Sequence, residues 1–276
     1  RGITLETSVK LIFKTVPVVE DTKYRLSFLA RQEGLESIED NPRLSSVILK
    51  RVLQHANYRL IFYARDDKAM KGGAAAFAMP FGSFHEYIHV FYPPQGACAV
   101  QLVLDVPSKY STLYLSDMKF ERQVDEGAIN VNPKFELGLY NYSGWKGFNE
   151  ADGHHRFYLF ENRQAVLFTG FTALSETFPL KQPGTYKLYQ KGSSYTRNRG
   201  THLIFQDASG KEISRVTRKL SRSEKEKKSN DYGPREDTAY FVLPKGTFRA
   251  YFAVYNTTLF ELSINRVGDE AEYQAI

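Results

Sequence analysis

The sequence predicts an all-β protein made of two tandem β-sandwich domains of the jelly-roll type. Its 276 residues include 20 Phe and 18 Tyr but a single Trp, and aromatic side chains favour pleated, half-buried strands. Short strand-like runs bounded by Gly, Pro, Asn and Asp recur along the chain, which is typical of sandwiches and jelly rolls. At roughly 150 residues per domain, the chain is long enough for two such cores.

An internal repeat divides the chain into two modules. Thr15–Leu26 aligns without a gap with Thr177–Leu188, and both segments predict a strand, a tight turn and a second strand. Further pairs follow in the same order: Leu60–Phe62 with Leu203–Phe205, Pro94–Ala97 with Pro244–Thr247, and Leu113–Glu121 with Leu259–Val267. We therefore predict one fold used twice, in a first module of residues 1–124 and a second module of residues 125–276.

The two modules differ in their insertions. The first has extra residues at 33–57, where apolar side chains recur at helical spacing after Asn41-Pro42, so we expect a short helix over residues 41–55 or else a loop or long strand. The second has two basic segments instead, Lys191–Gly200 and Lys219–Arg235, which we interpret as solvated loops.

Composition and motif searches exclude several classes of protein. The net charge of +6 is spread over both modules with no nucleic-acid-binding motif, and no apolar run reaches the ~18 residues of a membrane-spanning helix. The lone Cys98 forbids an internal disulfide and a cysteine zinc site. The sequence has no nucleophile elbow, phosphate-binding loop, zinc-protease spacing or dinucleotide fingerprint, so we expect no catalytic activity in this segment.

Three turn and strand motifs carry a family resemblance. Asn130–Gly138 followed by Ser143–Trp145, then Gln182–Leu188, then Pro244–Gly246 occur in the order found in carbohydrate-binding modules of the family 4/9 type. The chain resembles these galactose-binding-like jelly rolls over nearly its whole length. The resemblance implies non-catalytic binding of a polysaccharide or oligosaccharide by a secreted or cell-surface protein. Because the first module starts close to Thr15, we expect its opening strand to be missing from this segment and further domains to belong to a longer parent chain, whose catalytic activity stays open.

Candidate sugar-binding residues occur in both modules. In the first, the run Phe84–Tyr92 alternates as a strand, so His85, Tyr87 and His89 share one face while Ile88 and Val90 share the other. Aromatic rings can stack on sugars and imidazoles can hydrogen-bond hydroxyls, although a plain solvent-facing strand has the same pattern. The candidates in the second module are Tyr140, Tyr142, Trp145, His154, Arg156 and Tyr158.

Some of these residues admit other interpretations. The glycine-flanked Trp145 is a candidate stacking platform, but the Trp of this motif in the resembled family often packs in the core. Arg156 with His154 or His155 could pair with a uronate carboxylate or a sulfate group, which would suit an acidic polysaccharide. The resemblance also implies a structural calcium ion, with Asp117 and Glu136 at the matching positions, and no other cofactor.

Two alternative functions remain open at the sequence level. The modules could be structural spacers or protein-docking domains without sugar binding, or the chain could be a jelly-roll polysaccharide lyase that uses Tyr and His as base and acid. The repeat argues against a lyase, because Arg235, Asp237 and Ala239 occupy the positions of His85, Tyr87 and His89 in the second module.

Overall fold

A computed structural model describes most of the chain, and every element in its described part is a β-strand. The described residues are 2–4, 9–33, 56–66, 68–70, 76–79, 84–106, 112–123, 127–135, 145–146, 155–160, 163–193, 200–220 and 234–269. The chain forms two compact units, Arg1–Gln123 and Val124–Ile276. Within the described residues, no helix has the length and apolar character required to cross a membrane.

The described residues of unit 1 form nine strands in two antiparallel sheets. In chain order they are β1 (Gly2–Thr4), β2 (Val9–Ile12), β3 (Val16–Pro17), β4 (Tyr24–Glu33), β5 (Ala56–Tyr63), β6 (Ala76–Met79), β7 (His85–Phe91), β8 (Ala99–Val106) and β9 (Thr112–Arg122). One sheet has the order β1-β9-β4-β7. The other has the order β2-β8-β5-β6, and β3 also pairs with β8.

The core of unit 1 lies between these sheets. Alternate side chains of β4, namely Tyr24, Leu26, Phe28 and Ala30, pack in one buried cluster with those of β8 from the other sheet. This alternation follows from the period of two along a strand, which sends every second side chain to the same face. The side chains between them, such as Arg31, therefore point to the outer face of the sheet.

Nine further strands lie in the described part of unit 2. They are β10 (Trp145–Lys146), β11 (His155–Phe160), β12 (Arg163–Ser175), β13 (Phe178–Pro179), β14 (Thr185–Ser193), β15 (Gly200–Gln206), β16 (Glu212–Arg218), β17 (Arg235–Val242) and β18 (Arg249–Gly268). The long β12 and β18 run through two sheets. The order is β11-β12-β18-β14-β17 in one sheet and β10-β12-β18-β15-β16 in the other, and β13 also pairs with β18.

Strand pairing is equivalent in the two units. In unit 1, β4 lies between β9 and β7, and in unit 2, β14 lies between the second half of β18 and β17. Likewise β5 lies between β8 and β6, and β15 lies between the first half of β18 and β16. The prediction of an all-β chain with two tandem β-sandwiches is confirmed. β10 and β11 have no counterpart among the described residues of unit 1.

One turn of the repeat shows why its sequence recurs. Ala97 N–H donates to the Pro94 carbonyl at 3.0 Å, and Thr247 N–H donates to the Pro244 carbonyl at 3.1 Å. The glycine of each turn, Gly96 or Gly246, has a φ of +83° or +86°. This left-handed conformation favours glycine, so the shared motif reflects turn geometry. The expected helix at 41–55 and the central parts of both basic segments of unit 2 lie outside the described residues.

Candidate functional site

The predicted row on β7 faces the interior of unit 1. His85, Tyr87 and His89 do share one face, but that face also carries Phe91, a core residue that is 1% exposed. Tyr87 stacks on Phe28 of the neighbouring strand with ring centroids 5.3 Å apart. The expectation that this row faces solvent is wrong. Alternate side chains of a strand share one face, and the buried Phe91 shows that the face of His85, Tyr87 and His89 is directed towards the core. Only His85 of the three is exposed, and its role in sugar binding stays a prediction.

His89 is buried among aromatic rings. Its side chain is 2% exposed, and its ring centroid lies 6.0 Å from that of Tyr58. Burial lowers the pKa of His89 to about 3, so the imidazole is neutral at neutral pH. A catalytic acid or base must come within hydrogen-bonding distance of its substrate. His89 in this position is inaccessible to a polysaccharide, which removes it as a residue for the lyase alternative.

Trp145 packs in the interior of unit 2. It is 6% exposed, and its ring stacks on Phe135 with centroids 6.3 Å apart. One side of the ring lines a small pocket together with Asn130, Thr177 and Phe252. This position agrees with the alternative in which Trp145 packs in the core, because a ring that stacks on a sugar needs one face open to solvent.

The other candidates of the second module are described less completely. Arg156 pairs with Leu167 and Tyr158 with Ala165 in the β11–β12 ladder, while their side chains lie outside the described part of the structure. Tyr140, Tyr142, His154 and Glu136 also lie outside the described residues. Their roles stay predictions.

Asp117 lies in an irregular part of β9. Its φ is +52°, its side chain is exposed, and the pairing of β9 with β4 shifts register at this point. Across the described ranges, no group of three His, Cys, Asp or Glu side chains is arranged to hold a metal ion. Calcium binding through Asp117 and Glu136 stays a prediction.

A different set of residues forms an exposed aromatic surface on unit 1. Arg31 of β4 pairs with Tyr114 of β9, and Phe84 directly precedes β7, where His85 pairs with Ala30. These three positions therefore form a row across three adjacent strands on the outer face of the sheet. We call this row, Phe84, Arg31 and Tyr114, the Arg31 platform.

The Arg31 guanidinium lies against both rings of the platform. Its central carbon is 5.5 Å from the Phe84 ring centroid and 5.4 Å from the Tyr114 ring centroid. The two rings are edge-to-face with centroids 6.3 Å apart, although β4 separates their strands. Phe84 is 48% exposed. Cation–π contacts at this distance restrict the guanidinium, and they place it beside a partly exposed apolar ring.

Sequence reasoning missed the platform for an identifiable reason. The alternation of Phe84–Tyr92 was interpreted with His85, Tyr87 and His89 on the ligand-facing side, and no role was predicted for Phe84. The signal that could have corrected this is Phe91, which extends the His85 row with a large apolar residue. Because successive side chains of a strand alternate between its two faces, an inward Phe91 implies that Phe84 points outward.

The fold defines the chain as a tandem β-sandwich protein. No family model matches it, and no curated protein matches it, so its resemblance to the family 4/9 modules stays a prediction. Among solved structures it is similar to the tandem CBM22 (carbohydrate-binding module) domains of Xyn10C from Paenibacillus barcinonensis, with 9% identity, a TM-score of 0.33 and coverage of 92% of this chain and 82% of that chain.

Two further solved structures align with the chain. The tandem CBM51 modules of the family 98 glycoside hydrolase Sp3GH98 from Streptococcus pneumoniae give 7% identity and a TM-score of 0.24 over 96% of this chain and 83% of that one. A Paenibacillus xanthan lyase gives 12% identity and a TM-score of 0.25 over 96% of this chain and 23% of that one. The fold assignment depends on the strand order of the chain itself and draws nothing from these alignments.

Proposed function

We propose that this protein is a non-catalytic carbohydrate-binding protein whose first unit binds an acidic polysaccharide on the Arg31 platform. The observation that carries the proposal is the contact of the Arg31 guanidinium with both Phe84 and Tyr114 on the outer face of the sheet, where Phe84 is 48% exposed. The rings would stack on the apolar face of a pyranose. The guanidinium would pair with the carboxylate of a uronic acid residue or with ring hydroxyls.

The physical chemistry of the platform supports this ligand class. A pyranose ring has C–H groups on its faces, which pack against flat aromatic side chains that lose little conformational entropy on binding. The planar fork of arginine matches a carboxylate with two parallel hydrogen bonds, and it is less hydrated than a lysine ammonium. The net charge of +6 favours association with an anionic polymer.

The platform covers a limited part of its sheet face. Further along the same outer face Ser27 and Val90 are buried, at 7% and 3% exposed, and Arg25 and Glu86 form an ion pair at 3.6 Å. Because the ligand would contact only this part of a sheet face, binding through the platform would be shallow and of modest affinity. The proposal therefore extends to an accessory role in a secreted or cell-surface protein, in which attachment raises the local concentration of substrate for a neighbouring enzyme.

Binding measurements on platform variants test the proposal. Isothermal titration of the full chain with polygalacturonate and with a neutral xylan should show preferential binding of the acidic polymer. Phe84→Ala and Arg31→Gln should each lower affinity about tenfold or more, as expected for loss of one stacking or one charge-assisted contact. Arg31→Lys keeps the charge but loses the fork, so it should restore only part of the affinity.

Matched control variants separate binding from stability. Val19→Ala truncates an apolar residue that is 60% exposed and lies away from the platform, so it should leave affinity unchanged. Arg25→Gln removes a positive charge from the same sheet face but outside the platform, and it should leave affinity unchanged because Arg25 is paired with Glu86. No binding to either polymer, or unchanged affinity in both platform variants at unchanged melting temperature, would overturn the proposal and favour a spacer or docking role.

A further inference from the structure

Unit 2 exposes a row of side chains on the outer face of β17. The exposed residues are Glu236, Thr238, Tyr240 and Val242, and the residues between them are half-buried. Tyr240 is 55% exposed and Val242 is 46% exposed. The intervening Phe241 points inward, because its ring stacks on the buried Tyr186 with centroids 5.8 Å apart. At about 3.4 Å per residue, the exposed row extends for about 20 Å along the strand.

The neighbouring strand β14 adds a second tyrosine to this face. Tyr189 pairs with Thr238, and Lys187 pairs with Tyr240, in the β14–β17 ladder. The two tyrosines are therefore diagonal neighbours on adjacent strands. The Lys187 Nζ atom lies 5.8 Å from the Tyr189 ring centroid. We call Tyr240, Tyr189, Lys187 and the adjoining Glu236 the Tyr240 strip.

Polar contacts fix the groups beside the exposed Tyr240 ring. Lys191 Nζ donates to Glu236 Oε1 at 2.8 Å, and the Tyr189 hydroxyl is hydrogen-bonded to the same carboxylate. Burial and the nearby carboxylates of Glu236 and Glu261 raise the pKa of Tyr189 to about 12, so its hydroxyl stays protonated. Lys191 lowers the pKa of Glu236, so the carboxylate stays charged. A ligand would meet these groups already in position.

The equivalent positions of unit 1 are not exposed. Tyr240 corresponds to Val90 in the repeat, and Tyr189 corresponds to Ser27. Val90 and Ser27 are both buried. The two tyrosines and their exposure are therefore features of unit 2 that the common fold does not require.

The charge balance of the strip selects an uncharged ligand. On this face of β14, β17 and β18, the charged side chains that the structure describes are two lysines and two glutamates, namely Lys187, Lys191, Glu236 and Glu261. The face therefore has no net charge to attract an anionic polymer. Hydroxyl groups both donate and accept hydrogen bonds, so they can pair with a carboxylate as well as with an ammonium group.

The surroundings of Tyr240 favour a glycan over a protein partner. Its exposed ring is bordered on β14 by Lys187 and by the hydrogen-bonded Tyr189, so the strip is not a continuous apolar patch of the kind that marks a protein interface. A flat aromatic ring with polar groups at its border can instead cover the C–H face of a pyranose while those groups bind its hydroxyls.

We infer that the Tyr240 strip binds a neutral, linear oligosaccharide, with one pyranose stacked on Tyr240 and hydroxyl groups hydrogen-bonded to Lys187 and Glu236. This inference rests on the proposed carbohydrate-binding function and extends it to unit 2. The strip shares no residue with the Arg31 platform, and its ligand needs no carboxylate. The two units would then bind different polymers, an acidic one in unit 1 and a neutral one in unit 2.

Isothermal titration of the full chain with cellohexaose, xylohexaose and mannohexaose tests this inference. At least one of these neutral sugars should bind. Tyr240→Ala should weaken that binding about tenfold, because the stacking ring is lost, whereas Tyr240→Phe keeps the ring and should stay within about twofold of the wild type. Lys187→Met keeps the length of the side chain but removes the ammonium donor, so it should also weaken binding about tenfold.

Control variants separate this inference from the proposed function and from stability. Ile213→Ala truncates a residue that is 44% exposed on β16 of the other sheet, so it should leave hexaose affinity unchanged. Phe84→Ala should also keep hexaose binding while it loses polygalacturonate affinity, and Tyr240→Ala should show the reverse. Loss of polygalacturonate binding alone would contradict only the role of unit 1.

Two results would overturn the inference. One is the absence of binding to all three hexaoses, and the other is unchanged hexaose affinity in Tyr240→Ala at an unchanged melting temperature. Light scattering distinguishes the remaining role of the surface. Dimers that form in the wild type and are lost in Tyr240→Ala, without any hexaose binding, would reject the sugar site and identify the strip as a contact between two copies of the chain.

Discussion

Acidification between pH 6.5 and pH 5 should destabilise unit 1 through His89. Burial lowers the pKa of this imidazole from 6.5 to about 3, whereas in the unfolded chain it titrates near 6.5. Below pH 6.5 the unfolded state binds a proton that the folded state excludes. The contribution of neutral His89 to stability is therefore complete above pH 6.5 and is lost as the pH falls towards 3.

The size of the effect follows from the separation of the two pKa values. Each pH unit inside the window changes the free energy of unfolding by about 1.4 kcal/mol. A fall from pH 6.5 to pH 5 should therefore remove about 2 kcal/mol. Asp237 does not contribute in this window. The hydrogen bonds from Arg218 lower the pKa of Asp237 from 3.8. The stability that the ionised Asp237 carboxylate supplies is therefore lost only at pH values below this window.

Urea unfolding of the full chain, followed by circular dichroism at several pH values, measures this effect. His89→Leu removes the titrating group and should flatten the dependence of unfolding free energy on pH. His85→Gln is the matched control, because it removes an exposed histidine from the same strand and should keep the wild-type dependence. Equal pH dependence in His89→Leu and the wild type would refute the reasoning.

Two other substitutions test the packing of unit 2. Trp145→Ala should destabilise the unit by about 3–5 kcal/mol, because the ring is buried against Phe135. Calorimetry should show this loss of stability, and the affinity for polysaccharide should stay unchanged. Weakened binding at an unchanged melting temperature would instead identify Trp145 as an exposed stacking platform. Gly192→Ala should destabilise unit 2 by about 1–3 kcal/mol, because a Cβ there would lie 2.2 Å from the Thr258 carbonyl oxygen. Gly127→Ala, where a Cβ meets nothing within 4 Å, is its control, and equal unfolding midpoints for the two variants would contradict this explanation.

The internal repeat allowed the fold to be predicted from the sequence alone. Its matches mark turns and strand starts, such as Pro94–Ala97 and Pro244–Thr247, whose chemistry is local and readable from sequence. The same reasoning split the end of the chain into two strands, a run to Val254 and another from Leu259. The structure joins them in a single β18, whose first half pairs with β15 and second half with β14. β12 pairs with both halves, across a register shift between Phe168 and Thr172.

Site residues were harder to predict than the fold. Alternation shows which residues of β7 share a face, but it does not show which face is buried. Histidines at 85 and 89 suggested a polar surface, whereas the inward position of Phe91 and the stacking of Tyr87 on Phe28 place that face in the core. The contacts of Gln190 and Arg218 with Asp237 depend on cross-strand registers that join residues far apart in sequence, and a single sequence does not contain this information.

The uninterrupted course of β18 determines where each unit can accept extra residues. An insertion near the middle of Arg249–Gly268 would reverse the facing of every side chain on one side of it, and the pairs with two neighbouring strands would be lost. In unit 1 the equivalent positions belong to two strands, β8, which ends at Val106, and β9, which begins at Thr112. Lengthening a connection between strands costs only a slowly growing loop entropy. An added residue between β8 and β9 should therefore destabilise unit 1 less than an added residue in the middle of β18 destabilises unit 2.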